Sequence, residues 1–219
     1  MKKSSLTLLT SALCLLPIVF SVILFSDLPE RIAVQWRVTG EVSNTMPRAA
    51  VAFGIPLFLA AANVYSKIRL FNDPKHENHS KALRALSIWS FPVVSIVMLP
   101  ITLYVAMGAN IPIITISILI AGLAFILIGN YLPKSRQNYV MGIKLPWTLD
   151  NADNWNKTNR LAGYVLVIGG VLIIINGFFL TTKTILGVSF TAIISMVTVA
   201  VPFLYSFLLY RKEQALLDK

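Results

Sequence analysis

Charge is scarce in this chain: 13% of its 219 residues are Asp, Glu, Lys or Arg, and only nine of those are acidic. A soluble domain carries about a quarter charged residues, while this chain is 56% hydrophobic, so the bilayer is its solvent. Cysteine is limited to Cys14. One thiol excludes an internal disulfide and leaves a small apolar packing role. The two histidines, His76 and His79, share a polar stretch with Asp73 and Glu77. His-x-x-His spacing could hold a metal on a helix, but a solvated loop is the simpler reading. There is no HExxH motif, phosphate-binding glycine loop or Ser-His-Asp set, so the chain reads as a non-enzyme without cofactor or metal. Internal repeats, low-complexity linkers and the short alternating strands of a membrane barrel are also absent.

What is present is a series of apolar stretches at residues 6–25, 49–66, 83–107, 112–130, 161–181 and 187–210. Most approach the roughly 20 residues a helix needs to cross the hydrocarbon. The fold class is all-α: a polytopic membrane protein with six transmembrane helices in one bundle. Pro56, Pro92, Pro100, Pro112 and Pro202 do not overturn this, because neighbouring helices can satisfy the backbone groups that proline frees. The first stretch follows MKKSS, but its length and the lack of a small-x-small cleavage site favour a retained anchor. Asn63 and Asn176 read as interhelical glue, and Ala50 with Gly54 has the small-xxx-small spacing of a close helix contact.

The cations fix an orientation. With the N-terminus inside, fifteen of the nineteen Lys and Arg fall on the cytoplasmic side, among them Lys67, Lys134, Lys144 and Arg160; Arg31, Arg37, Arg48 and Lys183 remain outside. The positive-inside rule therefore puts both termini in the cytoplasm. The net charge of +10 is spread over separate loops facing anionic lipid, which argues against direct nucleic-acid binding.

The fourth and fifth spans bracket Asn130 to Arg160, NYLPKSRQNYVMGIKLPWTLDNADNWNKTNR. The segment is cytoplasmic in this orientation and dense in Trp, Asn, Pro and cations. Its second half reads as helix: Asp150 suits the N-cap, Asp153 the first turn, and Asp153 with Lys157 an i,i+4 pair. Trp155, Thr158, Asn159 and Ala162 then share one face. The first half turns at Pro133, Gly142 and Pro146. Interfacial anchoring explains single aromatic and basic residues; the combination points to closure of the inner end of the bundle or to a surface for an inner partner.

This segment resembles the signature of the SdpI family, bacterial membrane proteins that include an immunity protein against the SDP killing toxin. The matching residues are Gly129, Asn130, Pro133, Asn138, Gly142, Pro146, Trp147, Thr148, Trp155, Thr158, Arg160 and Gly163. Lys144 stands where Arg is common and Asn159 where His is usual, so no pH-dependent or metal role carries over to Asn159. The loop LPERIAVQWRVTGEVSNTMPR is similar to the DUF1648 module, with Leu28, Pro29, Ile32, Trp36, Gly40 and Arg48 in register. Gln35, Ala33 and Ser43 replace a frequent His, Pro and Asp, which makes a metal site unsuitable there.

The resemblance implies two modules: residues 1–66, a helical hairpin with an extracellular loop at 26–48, and residues 67–219, a four-helix region with the signature at 130–160. It implies a cell-membrane immunity or sensor protein giving resistance to a secreted membrane-active peptide, with recruitment of a cytoplasmic repressor as its signalling extension. The outer loop is either a folded cap or a peptide-recognition site using Arg31, Trp36 and Arg37. Trp147, Trp155, Asn159 and Arg160 would form the inner partner surface. The alternative is a small-solute transporter, against which stands the near absence of ionisable residues in the helix centres.

Overall fold

The computed structural model describes residues 3–36, 41–179 and 185–217. Arg37, Gly40 and Lys183 lie outside the described residues. Among the described residues, six helical segments are long and apolar enough to cross a membrane: Lys3–Leu24, Ala50–Phe71, Lys81–Ala106, Ile113–Lys134, Ala152–Phe178 and Phe190–Leu216. Several outrun their apolar stretches, because backbone hydrogen bonding continues into polar sequence where good helix formers follow.

The first span is α1 (Lys3–Leu15) and α2 (Pro17–Leu24). It is interrupted where Pro17 has no N–H to give the Leu13 carbonyl, which Leu16 N–H takes instead at 3.3 Å. A π-helical turn, Ala50–Gly54, leads into α3 (Ile55–Phe71), followed by α4 (Lys81–Ala106) and α5 (Ile113–Tyr131). Pro92 and Pro100 lie inside α4 without ending it. A five-residue helix, α6 (Pro146–Asp150), precedes α7 (Ala152–Phe179) and α8 (Ile185–Leu217).

Met1–Phe71 with Ala85–Ile116 form one compact unit. Most of the third span thus packs with the first two in this unit. Ser95 Oγ donates to the Cys14 carbonyl at 2.7 Å. Asn63 Nδ2 donates to Thr10 Oγ1 and Ser11 Oγ, both at 3.0 Å. Lys67, expected among the cytoplasmic loop cations, is instead inside α3 and 1% exposed. Its Nζ donates to Asn63 Oδ1 at 2.7 Å, Ile88 O at 2.8 Å and Ser87 O at 3.3 Å.

The all-α expectation needs one amendment. Between the first two spans, β1 (Arg31–Trp36) and β2 (Val42–Pro47) form an antiparallel pair, Ile32 opposite Met46 and Trp36 opposite Val42. Ile, Val, Trp and Thr favour such a pleated surface, and the loop closes through Arg48 N–H to Glu30 O at 2.9 Å. Ile32 plugs the strands onto the helices by joining Leu28, Val51, Leu99 and Leu103 in a buried cluster.

Asn72–Arg84 with Ser117–Lys219 form the second unit. Here α5 and α7 run antiparallel and touch at glycines: a Cβ on Gly122 would meet Gly170 O at 2.9 Å, and one on Gly129 would meet Gly163 O at 2.7 Å. The two pairs are seven residues apart on each helix, so one face carries both contacts. The Ala50/Gly54 spacing, by contrast, makes no close contact at its glycine, since nothing lies within 4 Å of a Cβ on Gly54. Its residues sit in the π-helical turn, where the i,i+4 register of an α-helix does not hold. α7 and α8 are joined by Asn176 Nδ2 to Thr191 Oγ1 at 2.6 Å, as expected of a membrane-buried amide.

Candidate functional site

Between α5 and α7 the chain must turn without exposing backbone groups to lipid, and the signature residues supply the partners. Leu132–Lys134 makes a single 3-10 turn. Asn138, fully buried, then acts as a hub. Its Oδ1 accepts Val140 N–H at 2.9 Å and Met141 N–H at 2.6 Å, and its Nδ2 donates to Ser135 Oγ at 3.0 Å and Arg136 O at 2.8 Å. The side chain fills the donor and acceptor capacity of an amide, and no other residue of that size does the same.

Trp155, also fully buried, donates its indole N–H to Ser135 O at 3.0 Å. Its ring lies against Gly142, where a Cβ would meet ring atoms at 2.7 Å and where φ is +121°. Both the space and the backbone demand glycine. Asn159, 1% exposed, accepts Ile143 N–H on Oδ1 at 2.8 Å and donates to Trp155 O at 2.9 Å. Where a histidine would offer a ring nitrogen, this amide makes both bonds without titrating.

Pro146 opens α6 at its first turn. Thr148 closes that turn through Leu145 N–H, accepted at 2.9 Å, and Ile143 O at 2.8 Å. Trp147 docks α6 on α8: its N–H donates to Ser206 Oγ at 2.5 Å, and its ring meets Phe203, Phe207 and Tyr210. Thr158 donates to Asn154 Oδ1 at 2.9 Å, while Asn154 Nδ2 donates to Ser206 O at 3.1 Å. Gly163 is buried against Gly129 and Pro133. Asn130, Pro133, Lys144, Pro146 and Arg160 are exposed, with Lys144 Nζ reaching Val140 O at 3.1 Å.

Three expectations change. The N-cap of α7 is Asn151, whose Oδ1 accepts Asp153 and Asn154 N–H at 2.8 and 3.0 Å. Asp150 cannot serve, because it is the last residue of α6. Trp155 and Asn159 are consumed inside the segment and cannot present a partner surface. His79 is buried, not solvated: its Nε2 meets Asp73 Oδ2 at 2.7 Å, whereas His76 is exposed. The pairing of Asp153 and Lys157, 2.6 Å apart on an exposed face, holds as expected. Such a pair contributes little to stability.

Three participants went unmarked in the sequence, Asn78, Gln137 and Ser206, and two more, Asp73 and His79, stood there only as part of a solvated polar loop. Gln137 Nε2 donates to Thr148 O and Leu149 O at 3.0 and 2.6 Å, and its Oε1 accepts Lys75 Nζ at 2.9 Å. Asn78 Nδ2 donates to Gln137 O at 2.7 Å, and Asn78 O accepts Arg136 N–H at 3.0 Å. Asp73 accepts Tyr139 N–H at 3.2 Å and Lys75 N–H at 2.9 Å. Burial of Asp73 opposes its ionisation, yet the His79 hydrogen bond and the two backbone N–H groups together hold the carboxyl below its ordinary range. Loop 72–80 is thereby stitched to the signature segment. The signal for these residues is long-range pairing, which local pattern does not carry.

In the loop between the first two spans, Pro29, Arg31 and Gln35 are exposed and Trp36 is half-buried. Arg31 is held by Thr45, Nε to Oγ1 at 2.8 Å. Arg48 turns inward, 4.6 Å over the Phe25 ring, and donates to Leu28 O at 3.2 Å and Phe25 O at 3.3 Å. Arg48 is therefore committed to closing the hairpin.

The model of the SdpI/YfhL protein family matches residues 134–206, and that of the DUF1648 domain of unknown function matches residues 12–60. Immunity protein SdpI of Bacillus subtilis (strain 168) is 29% identical over 181 residues, which cover 82% of this chain and 83% of that protein. No solved structure matches the chain. The chain is thus a membrane protein with six candidate spans among the described residues, similar to the SdpI/YfhL family over a segment whose Asn138, Thr148, Trp155, Thr158 and Asn159 are buried together, to DUF1648 over the hairpin, and to an immunity protein over most of both chains.

Proposed function

We propose that the protein confers immunity against a secreted, membrane-active peptide toxin. The carrying observation is the likeness to an immunity protein over more than four-fifths of both chains. The β-hairpin faces outward and both termini lie in the cytoplasm, because this orientation leaves most Lys and Arg inside. Lys67 adds nothing to that count once buried, but the remaining cations keep the same bias. The exposed Arg31, Gln35 and the half-buried Trp36 form the peptide-facing surface, while Arg48 and Ile32 hold the hairpin in place. Trp36→Ala is expected to lower survival of toxin-sensitive cells challenged with SDP toxin while leaving membrane insertion unchanged. Expression of the unaltered protein with no gain in survival would sink the proposal.

A finer reading assigns a cytoplasmic repressor to the signature face. Burial of Trp155 and Asn159 moves that surface to Lys144, Pro146 and Arg160, which stand exposed on a segment fixed from beneath. Lys144→Glu with Arg160→Glu should abolish recruitment of a repressor to membranes without affecting survival. Unchanged recruitment would remove this reading. Solute transport is less well supported, because the buried Lys67 spends its three N–H groups on protein oxygens; solute accumulation in proteoliposomes would favour it.

A further inference from the structure

Lys67 lies four residues before the end of α3 at Phe71, about 6 Å along the helix axis. A lysine so placed can ordinarily extend its head to the lipid headgroups. This one does not. Helical side chains lean toward the N-terminus, and Lys67 follows that direction back to Asn63, one turn earlier. Asn63 is held with its oxygen toward Lys67, because its NH₂ is occupied by the Thr10 and Ser11 hydroxyls. The three groups around Nζ are all acceptors: Asn63 Oδ1, Ser87 O and Ile88 O. Three acceptors match the three N–H bonds of an ammonium.

The Ile88 carbonyl explains why an ammonium is there. In an uninterrupted α-helix it would accept the N–H of residue 92. Residue 92 is proline, inside α4, and has no N–H. An unpaired carbonyl buried in a membrane protein is costly. Lys67 Nζ stands 2.8 Å from that oxygen, in the place of the missing donor.

We propose that Lys67 is an ammonium clip: it replaces the backbone donor lost at Pro92 and so fastens the second span, with Asn63 and the first span behind it, to the break in the third. The site is an oxygen cage for a primary ammonium, filled by a tethered one. It does not rest on the immunity reading.

The clip ties a lysine on one helix to a proline on another, and a double-mutant cycle reads that tie. Lys67→Met in detergent-purified protein should lower the midpoint of thermal unfolding by roughly 5–10 °C. In a Pro92→Ala background residue 92 regains its N–H, and the same substitution should cost less than half as much. Equal losses in both backgrounds would overturn the proposal. Should Pro92→Ala not fold, Lys67→Ala offers a second route. Methylammonium, with three N–H bonds, should raise the midpoint of Lys67→Ala but not of the unaltered protein. Tetramethylammonium, with none, should do nothing. Equal effects of the two salts would refute the cage.

Discussion

The Trp155 ring covers the backbone of Gly142, so closely that a methyl group at residue 142 would sit 2.7 Å from the indole. Gly142→Ala therefore meets both a clash and a φ of +121°. Strain of roughly 1–3 kcal/mol and overpacking of similar size combine, so a loss of about 3 kcal/mol is expected in thermal or denaturant unfolding. Gly108 also has positive φ, +91°, but nothing lies within 4 Å of its Cβ position. Gly108→Ala should cost only the strain, about 1–2 kcal/mol. Equal losses would show that the Trp155 contact is not what restricts residue 142.

The glycine face between α5 and α7 makes a separate prediction. Gly129→Val or Gly170→Val places branched carbons against the facing backbone and should cost about 3 kcal/mol or more, by separating helices that associate through close packing. Gly54→Ala, facing open space, should cost nothing measurable. Retained stability of the Gly129 and Gly170 variants in micelles would refute the close crossing.

Docking of α6 on α8 divides into a hydrogen bond and an aromatic cluster. Trp147→Phe removes the donation to Ser206 and trims the ring while keeping an aromatic side chain, and should cost about 1–2 kcal/mol. Trp147→Ala also removes the ring from Phe203, Phe207 and Tyr210 and should cost about 3 kcal/mol. Protease sensitivity of residues 137–151 should rise in the same order.

Asp73 sets a pH dependence. Its carboxyl is held below its ordinary range in the folded protein, so the unfolded chain binds the proton more readily. Its stabilisation is present above about pH 4, the unfolded value, and is lost as pH falls through the folded value. The difference in unfolding midpoint between the unaltered protein and Asp73→Asn should be largest near neutral pH and shrink below about pH 4. A difference constant over that range would exclude ionised Asp73 as the fastener of loop 72–80.

The sequence by itself determined the solvent, the six spans and the segment in which the unusual chemistry is concentrated. Apolar run length and scarcity of charge are local properties, and apart from the carbonyls that prolines free, a helical span satisfies its own backbone. It also placed Gly142, Pro146, Asn138 and Trp155 within a signature, though not which of them face inward. Tertiary structure decided the rest: that Trp155 and Asn159 are internal, that Asp73 and Gln137 belong with residues 135–149, and that a two-stranded hairpin caps the helices of the first unit. It also took Lys67 out of the loops and put it on the carbonyl beside Pro92. Each of these rests on a hydrogen-bond or packing partner distant in sequence, such as Lys75 and Gln137, 62 residues apart. A buried polar group must find a partner in three dimensions, and one-dimensional pattern records only that the group is polar.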